Sequence, residues 1–107
     1  MYIQQLVDDY NDVIDLLKGA LKKKDEHILD MFESSVCEDD IEPGNIIIIG
    51  ENFISFVSTT DDIREEIEDD FDDDEHIAMF QVTEDGVWVF CGKASEVADT
   101  FIYEDEL

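Results

Sequence analysis

Four short runs of β-branched and aromatic residues decide what this chain can fold into: residues 46–49, 53–57, 77–82 and 87–90. Runs of this kind bounded by turn residues read as strands. "NIIIIGENFISFVS" is two of them separated by Gly50-Glu51-Asn52, a β-hairpin. "HIAMFQVTEDGVWVFCGK" is a second hairpin, turning at Glu84-Asp85-Gly86. The runs matter because the rest of the composition pulls the other way. With 31 acidic against 6 basic side chains, the formal net charge is -25 over 107 residues. That load opposes compactness through self-repulsion and approaches the regime of disordered chains. Hydrophobic residues still make up 44% of the chain, and their concentration in these runs lets a core form. The length fits a single domain, 1–107.

Ile3, Leu6, Val7, Tyr10, Val13, Ile14 and Leu17 recur at three- and four-residue steps, which predicts an N-terminal amphipathic helix. Gly19 marks its end, and Lys18 with Lys22, Lys23 and Lys24 suits the negative end of its dipole. Residues 26–36 form a second helical segment around Ile28, Leu29 and Phe32. "EDDIEPGN" holds the only proline, followed by glycine, and reads as a loop. Ile63, Ile67 and Phe71, spaced by four, predict a helix over 61–75 that Thr60 or Asp61 would cap. The tail from 94 fits no single pattern, with "TFIY" a candidate last strand. The order predicts an α+β fold: an N-terminal helix or helices, then an antiparallel sheet of two hairpins with an intervening acidic helix.

The charge is uneven. Residues 1–24 carry four Asp and four Lys and sum to zero, so the other 83 hold the whole -25, opposed only by Arg64 and Lys93. A surface of this sign repels nucleic acid and anionic membrane and attracts basic proteins or cations. The start "MYIQQLVDDYNDV" lacks a basic segment followed by an apolar block, and no apolar run is long enough to span a bilayer. The expectation is a cytoplasmic protein with reduced thiols; spacing alone leaves open whether Cys37 and Cys91 are bridged.

Residues 61–75 concentrate the effect, with eleven carboxylates and one arginine. As one helix they would span roughly 22 Å and carry one net charge per ~2.2 Å. Duplex DNA carries one per ~1.7 Å of axis. Like charges four apart, such as Glu65 and Asp69 or Glu66 and Asp70, destabilise a helix by roughly 0.2–0.5 kcal/mol per pair, while Arg64 and Glu68 offer one favourable pair. A charge run is often only a solvated face, but ordinary surfaces intersperse both signs. Salt adaptation is a second bland explanation; thirteen Ile against four Ala, and five Lys against one Arg, fit it poorly.

Other chemistry finds little support. An EF-hand counted from Asp70 would need Gly at Glu75 and Glu at Gln81, so no metal site is expected. His76 reads as a strand-start residue, Cys91 as core, and neither cysteine has a basic neighbour to activate it. No phosphate-binding glycine loop or nucleophile motif occurs, and with carboxylates so abundant no one pair is informative. No enzyme and no cofactor are expected. Trp88, Phe90, Phe53 and Phe56 could stack bases, but inside such negative charge they are expected in the core.

In composition, size and the run at 61–75, the chain resembles the small acidic DNA-mimic inhibitors of phages and mobile elements, the anti-restriction and anti-CRISPR class. Members of that class have unrelated folds, so the resemblance implies a function only. It implies stoichiometric inhibition of a basic, nucleic-acid-binding host protein, such as a restriction enzyme or CRISPR effector, through its positively charged groove. Asp61, Asp62, Glu65, Glu66, Glu68, Asp69, Asp70, Asp72, Asp73, Asp74 and Glu75 would supply the main phosphate-like array. Glu38, Asp39, Asp40 and Glu42, with Glu104, Asp105 and Glu106, would supply secondary ones. The alternatives are an immunity or antitoxin-type protein that neutralises one basic toxin or nuclease, and an acidic adaptor or chaperone for basic cargo. The neutral N-terminal helix would allow a homodimer.

Overall fold

The computed structural model describes residues 3–20, 26–58 and 63–100. They form an α+β fold around one five-stranded sheet in the order β1-β5-β4-β2-β3, every neighbouring pair antiparallel. The strands are β1 (Ile3–Val7), β2 (Asn45–Ile49), β3 (Ile54–Ser58), β4 (His76–Thr83) and β5 (Gly86–Lys93). The helices are α1 (Tyr10–Ala20), α2 (Glu26–Ser35), α3 (Ile63–Asp70) and α4 (Ala94–Thr100). Both expected hairpins, β2–β3 and β4–β5, are present, with α3 between them.

Helices cover both faces of the sheet, and this explains why its strands read as unbroken apolar runs rather than alternating ones. Ile47, Ile49, Ala78, Phe80, Val82, Val87 and Val89 form one core with Val13 and Leu17 of α1 and Ile28 and Phe32 of α2. Ile46, Ile48, Ile77, Met79 and Phe90 form the other with Ile63, Ile67 and Phe71 and with Ala94, Val97 and Ala98 of α4. The four consecutive isoleucines therefore serve two cores in alternation, and all are fully buried. Tyr10, Phe32 and Phe80 stack in series through the first core, with ring centroids 5.1 and 4.9 Å apart.

Three expectations are corrected. The N-terminal helix begins at Tyr10, not Ile3: residues 3–7 are an edge strand paired with Cys91 to Val87 of β5. Ile3, Leu6 and Val7 fit a helical period, but so short a run satisfies either geometry, and a free edge on β5 decided it. Asp9 then starts α1, its Oδ1 accepting the Asp12 N–H at 3.0 Å as an N-cap. Secondly, residues 94–100 are helical, with Ala94, Val97 and Ala98 forming the buried stripe; "TFIY" lies largely outside the described residues. Thirdly, Phe53 and Phe56 are not core: they are 47% and 53% exposed. Trp88 is half-buried and Phe90 fully buried. His76 opens β4 and Cys91 is buried, as expected; Cys37 is exposed, and both are thiols, not a disulfide.

Gly86 closes the second hairpin at φ 139°. A Cβ there would also strike the Val7 carbonyl, so the same glycine lets β1 approach. Thr83 Oγ1 spans the turn, donating to the Gly86 carbonyl at 3.1 Å and accepting the Asp85 N–H at 3.2 Å.

Candidate functional site: an acidic surface on a hydrogen-bonded frame

The acidic run does not form one helix. α3 spans eight residues, and the chain turns after Phe71. Its length is therefore roughly 12 Å, half of what 61–75 would give as a helix. Five carboxylates and Arg64 leave a net -4 over that length, or one charge per ~3 Å at the same rise. A straight rod at the linear density of DNA is thus not what this segment makes. One physical reason lies at the C-terminus: Asp69, Asp70 and Asp72 to Asp74 would stack against the negative end of the helix dipole, and the last turn of α3 holds no basic residue.

Within the helix, Ile63 and Ile67 face inward and are followed by buried Phe71, as the spacing predicts. Arg64, Glu65, Glu68, Asp69 and Asp70 are exposed and Glu66 half-exposed. Arg64 reaches across to α4, its Nε donating to the Ala98 carbonyl at 3.4 Å. The following turn exposes Asp72, Asp73 and Asp74, yet its backbone is tied down. The Glu75 N–H donates to the Asp72 carbonyl at 3.0 Å, Ser95 N–H to the Asp73 carbonyl at 3.2 Å, and Ala94 N–H to the Glu75 carbonyl at 2.8 Å. The start of α4 thus anchors the turn.

Glu75 departs from its expected role. It is half-buried, and its Oε2 accepts the Glu51 N–H at 3.0 Å, bracing the β2–β3 turn. Asp40 departs likewise: half-buried, it directs Oδ2 to the Cys37 N–H at 3.0 Å. The Asp40 charge beside Cys37, with that side-chain contact, pushes the thiol pKa up, so Cys37 is not a nucleophile poised for reaction. Asp61, Asp62 and Glu104, Asp105 and Glu106 lie outside the described residues.

The fold enlarges the expected Glu38, Asp39 and Glu42 array with four carboxylates that sequence reasoning missed. Gly44 N–H donates to the Val82 carbonyl at 3.1 Å, which sets the segment before β2 beside the end of β4. Val7 pairs with Val87, so the chain leaves β1 at this same end of the sheet. Glu38, Asp39 and Glu42 are therefore joined there by Asp8, Asp9, Glu84 and Asp85, all exposed. Asp8, Asp9, Tyr10 and Asn11 line a cleft of about 340 Å³ with Glu38 and Ile41. Nothing along the sequence signals this grouping, since its members are up to 77 residues apart (85 minus 8); only strand order brings them together. The 72–74 turn lies at the opposite end, where β4 begins.

Among the described residues, no group of three or more His, Cys, Asp or Glu is arranged to hold a metal ion, and no helix is long and apolar enough to cross a membrane. No protein-family model matches the chain, and no curated protein or solved structure matches it.

Proposed function

We propose that this protein is a DNA-mimic inhibitor that occupies the positively charged nucleic-acid-binding groove of a basic host protein, a restriction enzyme, CRISPR effector or similar defence protein. The supporting observation is the hydrogen-bonded acidic face. Glu65, Glu68, Asp69 and Asp70 on α3, and Asp72 to Asp74 on the turn after it, are exposed on a frame that hydrogen bonds tie to α4. Carboxylates whose backbone is already fixed lose little further backbone entropy on meeting a row of Lys and Arg. Mimicry in this form is by a charged patch rather than by a rod, with the second acidic group at the far end of the sheet extending it.

The immunity-type reading stands second, and one observation favours it. Phe53, exposed and packed on the ring of Phe71 at the end of α3, offers apolar contact beside the carboxylates, which a groove built for phosphates does not require and a single cognate partner could use.

The test is capture from host lysate at moderate salt, followed by elution with duplex DNA. One nucleic-acid-binding protein, retained and then displaced by duplex, is the expected result. A retained basic protein that duplex does not displace would favour the immunity reading. Retention of basic proteins in proportion to abundance would overturn both in favour of a loose adaptor.

A further inference from the structure

Among the described residues, β3 forms one edge of the sheet, with β2 as its sole neighbour. Its sequence, Ile-Ser-Phe-Val-Ser, contains no charge and no proline. Natural edge strands are usually blunted by lysine, proline or a bulge, because an open edge is a template for another strand. In a chain with 31 acidic residues, β3 carries none of the charge or proline that would blunt it. The other edge, β1, is uncharged as well, but only β3 has two exposed aromatic rings, Phe53 and Phe56, on or beside it.

The direction of the open groups follows from the turn. Gly50 N–H donates to the Phe53 carbonyl at 2.9 Å, so residues 50 and 53 are a hydrogen-bonded pair. Bonded and non-bonded pairs alternate along an antiparallel ladder. With Ile48 opposite Ser55 and Ile46 opposite Val57, those pairs bond inward, and Ile54 and Phe56 turn their N–H and C=O groups away from the sheet. Phe56 lies opposite Ile47, so its half-exposed ring is on the face of the sheet that α1 and α2 cover. Phe53 is held at the hairpin end by the ring of Phe71, centroids 5.8 Å apart.

We infer that the outer edge of β3 accepts an extended strand of a basic partner protein, adding a sixth strand to the sheet, with Phe56 and Phe53 as its apolar contacts. The inference rests on the reading that the partner is basic, and it adds how that partner is gripped. The occupant follows from charge. Exposed ionisable groups on α2, which packs on β2, are Glu26, Asp30 and Glu33, with Lys18 of α1 beside the first two, and the turn adds Glu51. On the other face, α3 ends beside the same turn. A second copy would bring a whole chain of net charge -25 against one of the same sign, whereas lysines flanking a strand would be attracted to the carboxylates of α2 and of the turn. Main-chain pairing then supplies short-range affinity and the charge supplies capture.

The test is an NMR titration of the full chain with two synthetic peptides at about 0.15 M salt, where long-range attraction is largely screened. One heptapeptide alternates lysine with valine; the other replaces each valine by proline, keeping the charge and removing N–H groups needed for pairing. The expected result is amide-exchange protection at Ile54 and Phe56, raised at least about tenfold by the lysine–valine peptide and not by the lysine–proline one. Phe56→Pro, which removes an N–H that the β2–β3 ladder does not use, should abolish the protection at Ile54. Equal shifts along α3 with both peptides and no protection in β3 would overturn the edge inference while leaving the acidic-surface reading intact. Protection as strong with a threonine–valine peptide would overturn the basic occupant. Concentration-dependent protection without peptide would assign the edge to a second copy instead. The peptide pair keeps the test decisive even if Phe56→Pro alters the fold.

Discussion

The Glu75 carboxylate occupies the space that a side chain at Gly50 would need. A Cβ at position 50 would meet Glu75 Oε2 and the Phe71 ring, while that same oxygen accepts the Glu51 N–H. The end of the acidic segment is thereby locked to the first hairpin. Gly50→Ala should cost about 1–3 kcal/mol by overpacking, seen as a lower urea midpoint at unchanged slope. Glu75→Gln keeps an acceptor for Glu51 and should change neither stability by more than about 1 kcal/mol nor partner capture.

Charge and stability should move in opposite directions on α3. Asp69, Asp70, Asp72 and Asp73 changed together to Asn should weaken partner capture and flatten its salt dependence. The same variant should be more stable, because each relieved pair at four-residue spacing returns roughly 0.2–0.5 kcal/mol and the negative end of the helix is eased. Salt elution and urea unfolding of one preparation measure both. Unchanged capture would remove this face from the proposed site.

Ile47 and Ile48 point to opposite faces, yet both are fully buried. Ile47→Ala and Ile48→Ala should therefore cost alike, about 2–5 kcal/mol each, a large share of the roughly 5–15 kcal/mol available to a domain. A sheet with one open face would make one substitution cheap, and unfolding curves of the pair distinguish the two cases.

Tyr10 should set an upper pH limit. Its hydroxyl donates to the Val36 carbonyl at 2.9 Å, and burial, then the charge of Glu33, raises its pKa in the fold. The folded state thus holds the phenol proton more tightly than the unfolded chain. Its contribution is intact below the unfolded value of about 10 and is lost as pH rises above it through the higher folded value. Tyr10→Phe should show a smaller fall in urea midpoint across that window, after a loss of about 0.5–1.5 kcal/mol at neutral pH for the missing hydrogen bond.

Much was legible locally. The hairpins were marked by runs too β-branched and too short for helices, and by the turns at Gly50 and Gly86. The inward stripe of α3 was marked by Ile63, Ile67 and Phe71. Where local signals were balanced, tertiary structure decided. "IQQLV" became a strand because β5 offered an edge to pair with, and the acidic run broke after Phe71 because the chain had to re-enter the sheet at His76. Phe56 looked like core by composition and lies exposed because β3 happens to be the edge. The sign and size of the charge, and the α+β order of elements, were determined by the residues themselves, since both depend on composition and short-range period. Which carboxylates share a surface, and which, like Glu75 and Asp40, are spent on the backbone, depends on strand order, and strand order is settled only by packing distant segments against one another.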